Sequence, residues 1–299
     1  MFLLFVAGSF FLMVGSCFQA FHHEASVGKS SVLIMDLSGV IFDSKKFVKT
    51  LKKYREMDKV KAIVLRINSP GGVVGPSQEI YNEVKKTIST FKKPVVVSAE
   101  SLDASGAYYV SAGASKIIVE PGALIGSIGV IMEFANLKDL YSWAKVQRYS
   151  IKTGPYKDIG AEYRAMTDEE RKLLQNVIDE VYMQFKKAIA EGRKIPISEV
   201  SKYADGRIFS GETAVKIGFA DAVGGLQDAV DKAGELSGLG KNPETFEVPK
   251  DRPEFWSYLK GDADDDSSEL KKSIKNILGL SLVGKLLSVY PGAVQAYLE

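Results

Sequence analysis

Residues 94–114 read PVVVSAESLDASGAYYVSAGA, and this stretch decides the fold. Pro94 to Ala99 is an apolar run rich in β-branched residues, the pattern of a buried strand. From Gly106 onward, small residues together with Tyr108, Tyr109 and Val110 take up a helical rhythm. Ser105 stands between the two, in Ala104-Ser105-Gly106-Ala107. A serine at a strand-to-helix turn lies beside free backbone N–H groups, which favour an alkoxide and later an oxyanion. The common alternative is a plain helix N-cap serine. The company that Ser105 keeps decides between them.

Working outward, strand and helix patterns alternate. Upstream, Ser31 to Leu37 reads as a strand, Asp43 to Met57 as a basic amphipathic helix and Val60 to Ile67 as a second strand. That strand ends in Asn68-Ser69-Pro70-Gly71-Gly72, a loop that no strand or helix continues through. Pro76 opens a helix to about Phe91. Downstream, Lys116 to Glu120 is a strand, Gly122 to Val130 is glycine-rich and partly extended, Leu137 to Val146 is a helix and Gln147 to Thr153 is extended. Thr167-Asp168-Glu169-Glu170 is a capping box that opens a long helix to about Arg193. Gly206 to Gly225 forms a small β-loop-helix unit, followed by a helix from Leu226 to about Leu236. The alternation predicts an α/β fold with right-handed crossovers.

Composition narrows the chemistry. A net charge of +2 without a basic cluster excludes a nucleic-acid footprint. A single cysteine, Cys17, excludes an internal disulfide and a cysteine-rich zinc site. The two histidines, His22 and His23, adjoin the first apolar segment, so neither a Ser-His-Asp triad nor a histidine-rich zinc site is expected. If Ser105 is a nucleophile, its base is a lysine, glutamate or aspartate.

Residues 1–21 carry no charge and, as a helix, span about 30 Å, the depth of a bilayer's hydrocarbon core. They read as a transmembrane anchor. A cleaved signal peptide is the rival, as is a lipoprotein box at Val14-Gly15-Ser16-Cys17. Residues 22–30 read as a linker. Asp262 to Asp266 is an acidic, solvated stretch within a C-terminal extension over 241–299. Ser268 to Val289 places Leu270, Ile274, Ile277, Leu278 and Leu282 at helical spacing.

Two glycines directly after a strand let their amides approach a substrate closely. Gly71 or Gly72 could therefore donate to an oxyanion together with Gly106; a tight turn is the structural alternative. Both loops follow neighbouring strands, at the sheet edge where α/β sites form. Lys157, in Thr153-Gly154-Pro155-Tyr156-Lys157-Asp158, is the best candidate base, because it lies in a glycine- and proline-marked turn in an aromatic setting. A lysine acts as a base only when neutral, and burial favours that form. Any one lysine is more often a solvated surface charge.

Four motifs in this order and spacing resemble peptidase family S49 of the signal peptide peptidase A (protease IV) type. They are Asn68-Ser69-Pro70-Gly71-Gly72, Ala104-Ser105-Gly106, Gly126-Ser127-Ile128-Gly129-Val130 and Gly154-Pro155-Tyr156-Lys157. The segment from Gly211 to Asp221 also resembles a crotonase-fold turn. The resemblance covers residues 31–240 and implies a Clp/crotonase-like repeated ββα superhelix behind the N-terminal transmembrane or signal segment. It implies that Ser105 is the nucleophile, Lys157 the general base, Ser127 a hydrogen-bond partner of that lysine, and Gly71, Gly72 and Gly106 the oxyanion hole. The short Ser105-to-Lys157 separation fits the single-repeat form. Ala107 stands where the family often has glycine, a change that a helix tolerates.

The implied activity is cleavage of remnant signal peptides and other apolar peptides, with no metal or other cofactor. The implied assembly is a homo-oligomeric, octameric ring in which adjacent subunits supply Ser105 and Lys157. The implied location is the bacterial inner membrane, with the catalytic domain on the extracytoplasmic side. A crotonase-type acyl-CoA enzyme, a stomatin-processing protease of the same family and a non-catalytic membrane scaffold are the alternatives.

Overall fold

A computed structural model describes residues 29–249. The expected anchor or signal segment at 1–21, the linker up to residue 28 and the amphipathic helix at 268–289 lie outside the described residues. No helix among the described residues is long and apolar enough to cross a membrane.

The order of elements is β1 (Ser31–Ser38), α1 (Lys45–Arg55), β2 (Val60–Ser69), α2 (Val74–Ser89), β3 (Val95–Ala104), α3 (Gly106–Ala112), β4 (Lys116–Val119), β5 (Leu124–Gly126) and α4 (Lys138–Trp143). Then come α5 (Asp168–Arg193), α6 (Ile197–Ser201), β6 (Ile208–Ser210), α7 (Gly211–Lys216), β7 (Ala222–Val223), α8 (Leu226–Ser237) and β8 (Thr245–Glu247). The strands join one sheet in the order β6-β5-β3-β2-β1-β8, with β4 between β3 and β7. Every pairing is parallel except β5 with β6.

A mixed α/β fold is therefore observed, as the alternating pattern predicts. The central strands are apolar on both faces because both faces are covered. Leu33, Met35, Ile63, Leu65 and Val97 face a core closed by α1, α2, α3 and α5. Val32, Ile34, Ala62, Val64 and Val96 face a second core closed by Ala229, Val230 and Ala233 of α8.

Several elements differ from their sequence patterns. The apolar run suggests that β3 stops at Ala99, yet the strand continues to Ala104. Its pairing with β2 shifts register after Ile67↔Ala99 and resumes at Ser69↔Asp103, so Glu100 and Ser101 bulge outward as exposed residues. The first half of β3 then pairs with β4 and the second half with β5. Gln147 to Thr153, expected to be extended, joins no strand; Tyr149 and Ile151 are almost fully exposed there. The sheet also takes in β8, beyond Gly240, which aligns with Val32 to Ile34 of β1.

The strand-to-helix turn at Ser105 is backed by α5. Gly192 of α5 presses on the C-terminal end of α3, where a Cβ would overlap the Ala112 carbonyl oxygen. Alanine is the better helix former by about 1 kcal/mol, but overpacking against backbone costs about 1–3 kcal/mol. Gly192→Ala should therefore lower the melting temperature by several degrees in a thermal melt. An unchanged or raised value would contradict this packing.

Candidate active site

Ser105 directly follows β3 with φ 53° and ψ −121°, a backbone conformation costing about 1–3 kcal/mol for a non-glycine residue. Two bonds hold it there. Its amide donates to the Gly126 carbonyl at 2.7 Å, and its carbonyl accepts from the Tyr109 amide at 2.9 Å. The side chain makes no capping hydrogen bond to α3, so the N-cap alternative does not describe it. The half-buried Ser105 instead lines a small open cleft.

The glycines fit this elbow closely. Gly71 has φ +88°, and a Cβ there would overlap the Gly106 nitrogen and come within 3.0 Å of Ser105 Cβ. Gly72 lies beside Ile41, whose carbonyl accepts from the next amide, that of Val73, at 2.8 Å. A Cβ on Gly106 would stand 3.2 Å from the Gly72 nitrogen and would overlap Ser77 Oγ. The Gly72 and Gly106 amides therefore converge next to Ser105, and neither donates to a carbonyl or side chain among the described residues. Two such donors are what a developing oxyanion requires.

Ser127 follows β5 directly, with φ 50°, and its amide donates to the Arg207 carbonyl at 2.9 Å. Since Ala104 aligns with Gly126, the sheet register places Ser127 beside the elbow. Lys157 is different. It is exposed, in the turn at residues 155–160, and is not among the residues lining the cleft. One chain thus brings together Ser105, Gly71, Gly72, Gly106 and Ser127, and leaves Lys157 outside.

The walls of the cleft were not marked in the sequence. Tyr109 stacks on Phe185 with ring centroids 4.8 Å apart, and Val74, Val130 and Val181 complete an apolar surface. In sequence Val74, Tyr109, Val181 and Phe185 are ordinary apolar positions of α2, α3 and α5, and Val130 closes the glycine-rich motif after β5. Among the described residues, no group of three or more His, Cys, Asp or Glu is placed to hold a metal ion.

Asp103, two residues before Ser105, also carried no sequence signal. It is fully buried, and neither carboxylate oxygen has a hydrogen-bond partner. Burial pushes its carboxyl up to about 7. The nearby Ser111 hydroxyl, which likewise has no hydrogen-bond partner, tempers that rise.

A mixed α/β sheet with a strained serine elbow between converging glycine amides defines a Clp-protease-like domain. Residues 33–123 match the Clp protease family, and residues 88–240 match peptidase family S49. A provisionally named protease of Methanocaldococcus jannaschii is 43% identical over 205 residues, 69% of this chain and 65% of its own length. An Enterococcus faecium sequence, provisionally named signal peptide peptidase SppA, is 33% identical over 221 residues, 70% of this chain and 64% of its own length. The matches thus span just under two thirds of these relatives. The solved 1510-N membrane-bound stomatin-specific protease, in mutant form, aligns with a TM-score of 0.50 at 17% identity, covering 75% of this chain and 99% of that one, and shares the fold. This chain belongs to peptidase family S49, and it is similar to members named for SppA and protease 4. The family match favours the peptidase reading over an acyl-CoA enzyme.

The Asp103 carboxyl makes stability depend on pH with a definite sign. The unfolded chain loses this proton near its ordinary value of 3.8 and the folded chain only near about 7. Stability from the protonated form is thus full at low pH and lost as pH rises through that window. Asp103→Asn removes the dependence. Its melting temperature relative to wild type should climb by several degrees from about pH 4 to about pH 8. A constant difference would show that the carboxyl is not buried as described.

Proposed function

We propose that this chain is a membrane-associated serine peptidase that hydrolyses remnant signal peptides and other apolar peptides with a Ser105–Lys157 dyad. The observation that carries this reading is the strained Ser105, free of any capping bond, beside the converging Gly72 and Gly106 amides. The apolar cleft of Tyr109, Phe185, Val130 and Val181 supports an apolar substrate.

In this mechanism Ser105 Oγ attacks the scissile carbonyl and its proton passes to the neutral Lys157 amine. The Gly72 and Gly106 amides receive the negative charge on the carbonyl oxygen, with Gly71 supplying the turn that admits them. The lysine returns the proton to the leaving amine as the tetrahedral intermediate collapses to an acyl-enzyme. Water, deprotonated by the same amine, then releases the acid. Ser127 orients the amine by a hydrogen bond. No metal or other cofactor takes part.

Lys157 reaches a Ser105 of a neighbouring copy in a ring-shaped homo-oligomer, an octamer in this reading. In support, Lys157 is exposed, and the segment that bears it also exposes Ile131, Trp143, Tyr149 and Ile151, the last at 97%. Apolar surface of this kind marks an association site. Burial under a second copy favours a neutral amine. The active face lies on the extracytoplasmic side of the cytoplasmic membrane, held there by residues 1–21.

Ser105→Ala and Lys157→Ala should each reduce hydrolysis of an apolar peptide by roughly 10⁴-fold or more, with the melting temperature retained. Co-expressing the two inactive variants should restore a fraction of the activity, because some interfaces then pair an intact serine with an intact lysine. Active Lys157→Ala protein would remove the dyad. No recovery on co-expression would place both groups in one subunit.

A further inference from the structure

We propose that Arg164 is a positioning residue for Lys157: its guanidinium clamps the turn carrying this lysine to the capped start of α5. The proposal rests on the Ser105–Lys157 dyad.

Asp158 follows Lys157 directly, and its carboxylate is gripped from several sides. Arg164 Nε donates to Oδ2 at 3.1 Å and Nη2 to Oδ1 at 2.7 Å, a two-point fork. Nη2 also donates to the Asp158 backbone carbonyl at 3.2 Å. The Tyr163 hydroxyl donates to Oδ2 at 3.0 Å, and Lys152 forms an ion pair with Oδ1. On its other side the guanidinium forks onto Glu170, Nη1 to Oε2 at 2.8 Å and Nη2 to Oε1 at 2.5 Å.

Glu170 is itself fixed. Its Oε2 accepts from the Thr167 amide at 2.9 Å, while its own amide donates to Thr167 Oγ1 at 3.2 Å. This capping box opens α5, a helix of 26 residues anchored in the core through Phe185, Ala188 and Ile189. A continuous chain of strong contacts thus runs from the core to the residue beside Lys157.

Isolated surface ion pairs contribute little, and bidentate networks are the exception. Here the side chains of Asp158 and Glu170 are only 11% and 4% exposed. Arg164 holds both carboxyls below their ordinary range, Glu170 at about 2, so both remain ionised at neutral pH. The flanking segment adds ties of its own, Ser150 to Asp158 and Arg148 to Glu162, while Tyr149 and Ile151 project into solvent. The turn is therefore held at the residue beside Lys157. A base that must meet a hydroxyl from outside its own cleft needs such support, since a displacement of about 1 Å can cost 10²-fold in rate.

The test compares Arg164→Ala, Arg164→Lys, Lys157→Ala and the Arg164→Ala/Lys157→Ala double variant in the full-length protein. Peptide hydrolysis gives kcat and KM, and the burst phase with an activated ester substrate gives the acylation rate of Ser105. Arg164→Ala should lower kcat by about 10- to 100-fold with KM within about twofold. Arg164→Lys, which keeps the charge without the fork, should recover part of the loss. In the Lys157→Ala background, Arg164→Ala should cause no further fall in acylation, because it acts through the missing amine.

A wild-type kcat in Arg164→Ala, or an undiminished further loss in the double variant, overturns the positioning role and leaves the dyad standing if Lys157→Ala is inactive. Normal acylation in Lys157→Ala overturns both. Should Arg164→Ala fail to fold or assemble, Asp158→Asn must show the same drop in kcat at unchanged KM; an unaltered kcat there also overturns the proposal.

Discussion

Ser105 keeps a left-handed backbone because its amide is bonded to the Gly126 carbonyl on the adjacent strand. The conformation costs free energy, so the surrounding sheet must over-determine it. The register shift in β3 makes that bond available. By bulging at Glu100 and Ser101, β3 exchanges β4 for β5 as its neighbour. Gly126 and Ser127 then arrive beside the elbow, and Gly71 and Gly106 leave no room for side chains above it. The serine, the neighbouring glycine amides and Ser127 are thus products of a single backbone arrangement.

The two halves of the proposed dyad are supported in different ways. Ser105 directly follows a central strand of the sheet, and its geometry is as rigid as the fold. Lys157 sits on an exposed turn, and its order comes from charge-assisted bonds through Asp158, Arg164 and Glu170 to a helix end. Directional ionic contacts suit a surface segment, which has too little apolar burial of its own to set a position. The uncovered Trp143 and Ile151 nearby leave the segment able to join another surface without rebuilding the domain.

Much of this was legible in the chain. The period-three-to-four patterns and capping residues located α1, α2, α5 and α8 to within a few residues, because each satisfies its own backbone and presents one apolar face. The Thr167–Glu170 box is present as read, with both reciprocal bonds formed. β8 and α6 escaped notice: elements of three and five residues carry too little periodicity to register. Asp103 was invisible because an aspartate in sequence gives no sign of burial, and Arg164 because its partners lie six residues away on either side, across a turn and a helix cap.

Local chemistry within the sequence determined the alternation of strands and helices, the serine at a strand end and the glycines that must accompany it. Those follow from side-chain size, backbone freedom and short-range periodicity, which each stretch carries alone. Tertiary structure alone decided that β3 changes partners midway, that the Gly72 nitrogen lies beside Gly106, and that Lys157 stands outside the cleft lined by the Ser105 of its own chain. These depend on register and packing between segments distant in sequence, where the free energy belongs to the contact and to neither segment separately.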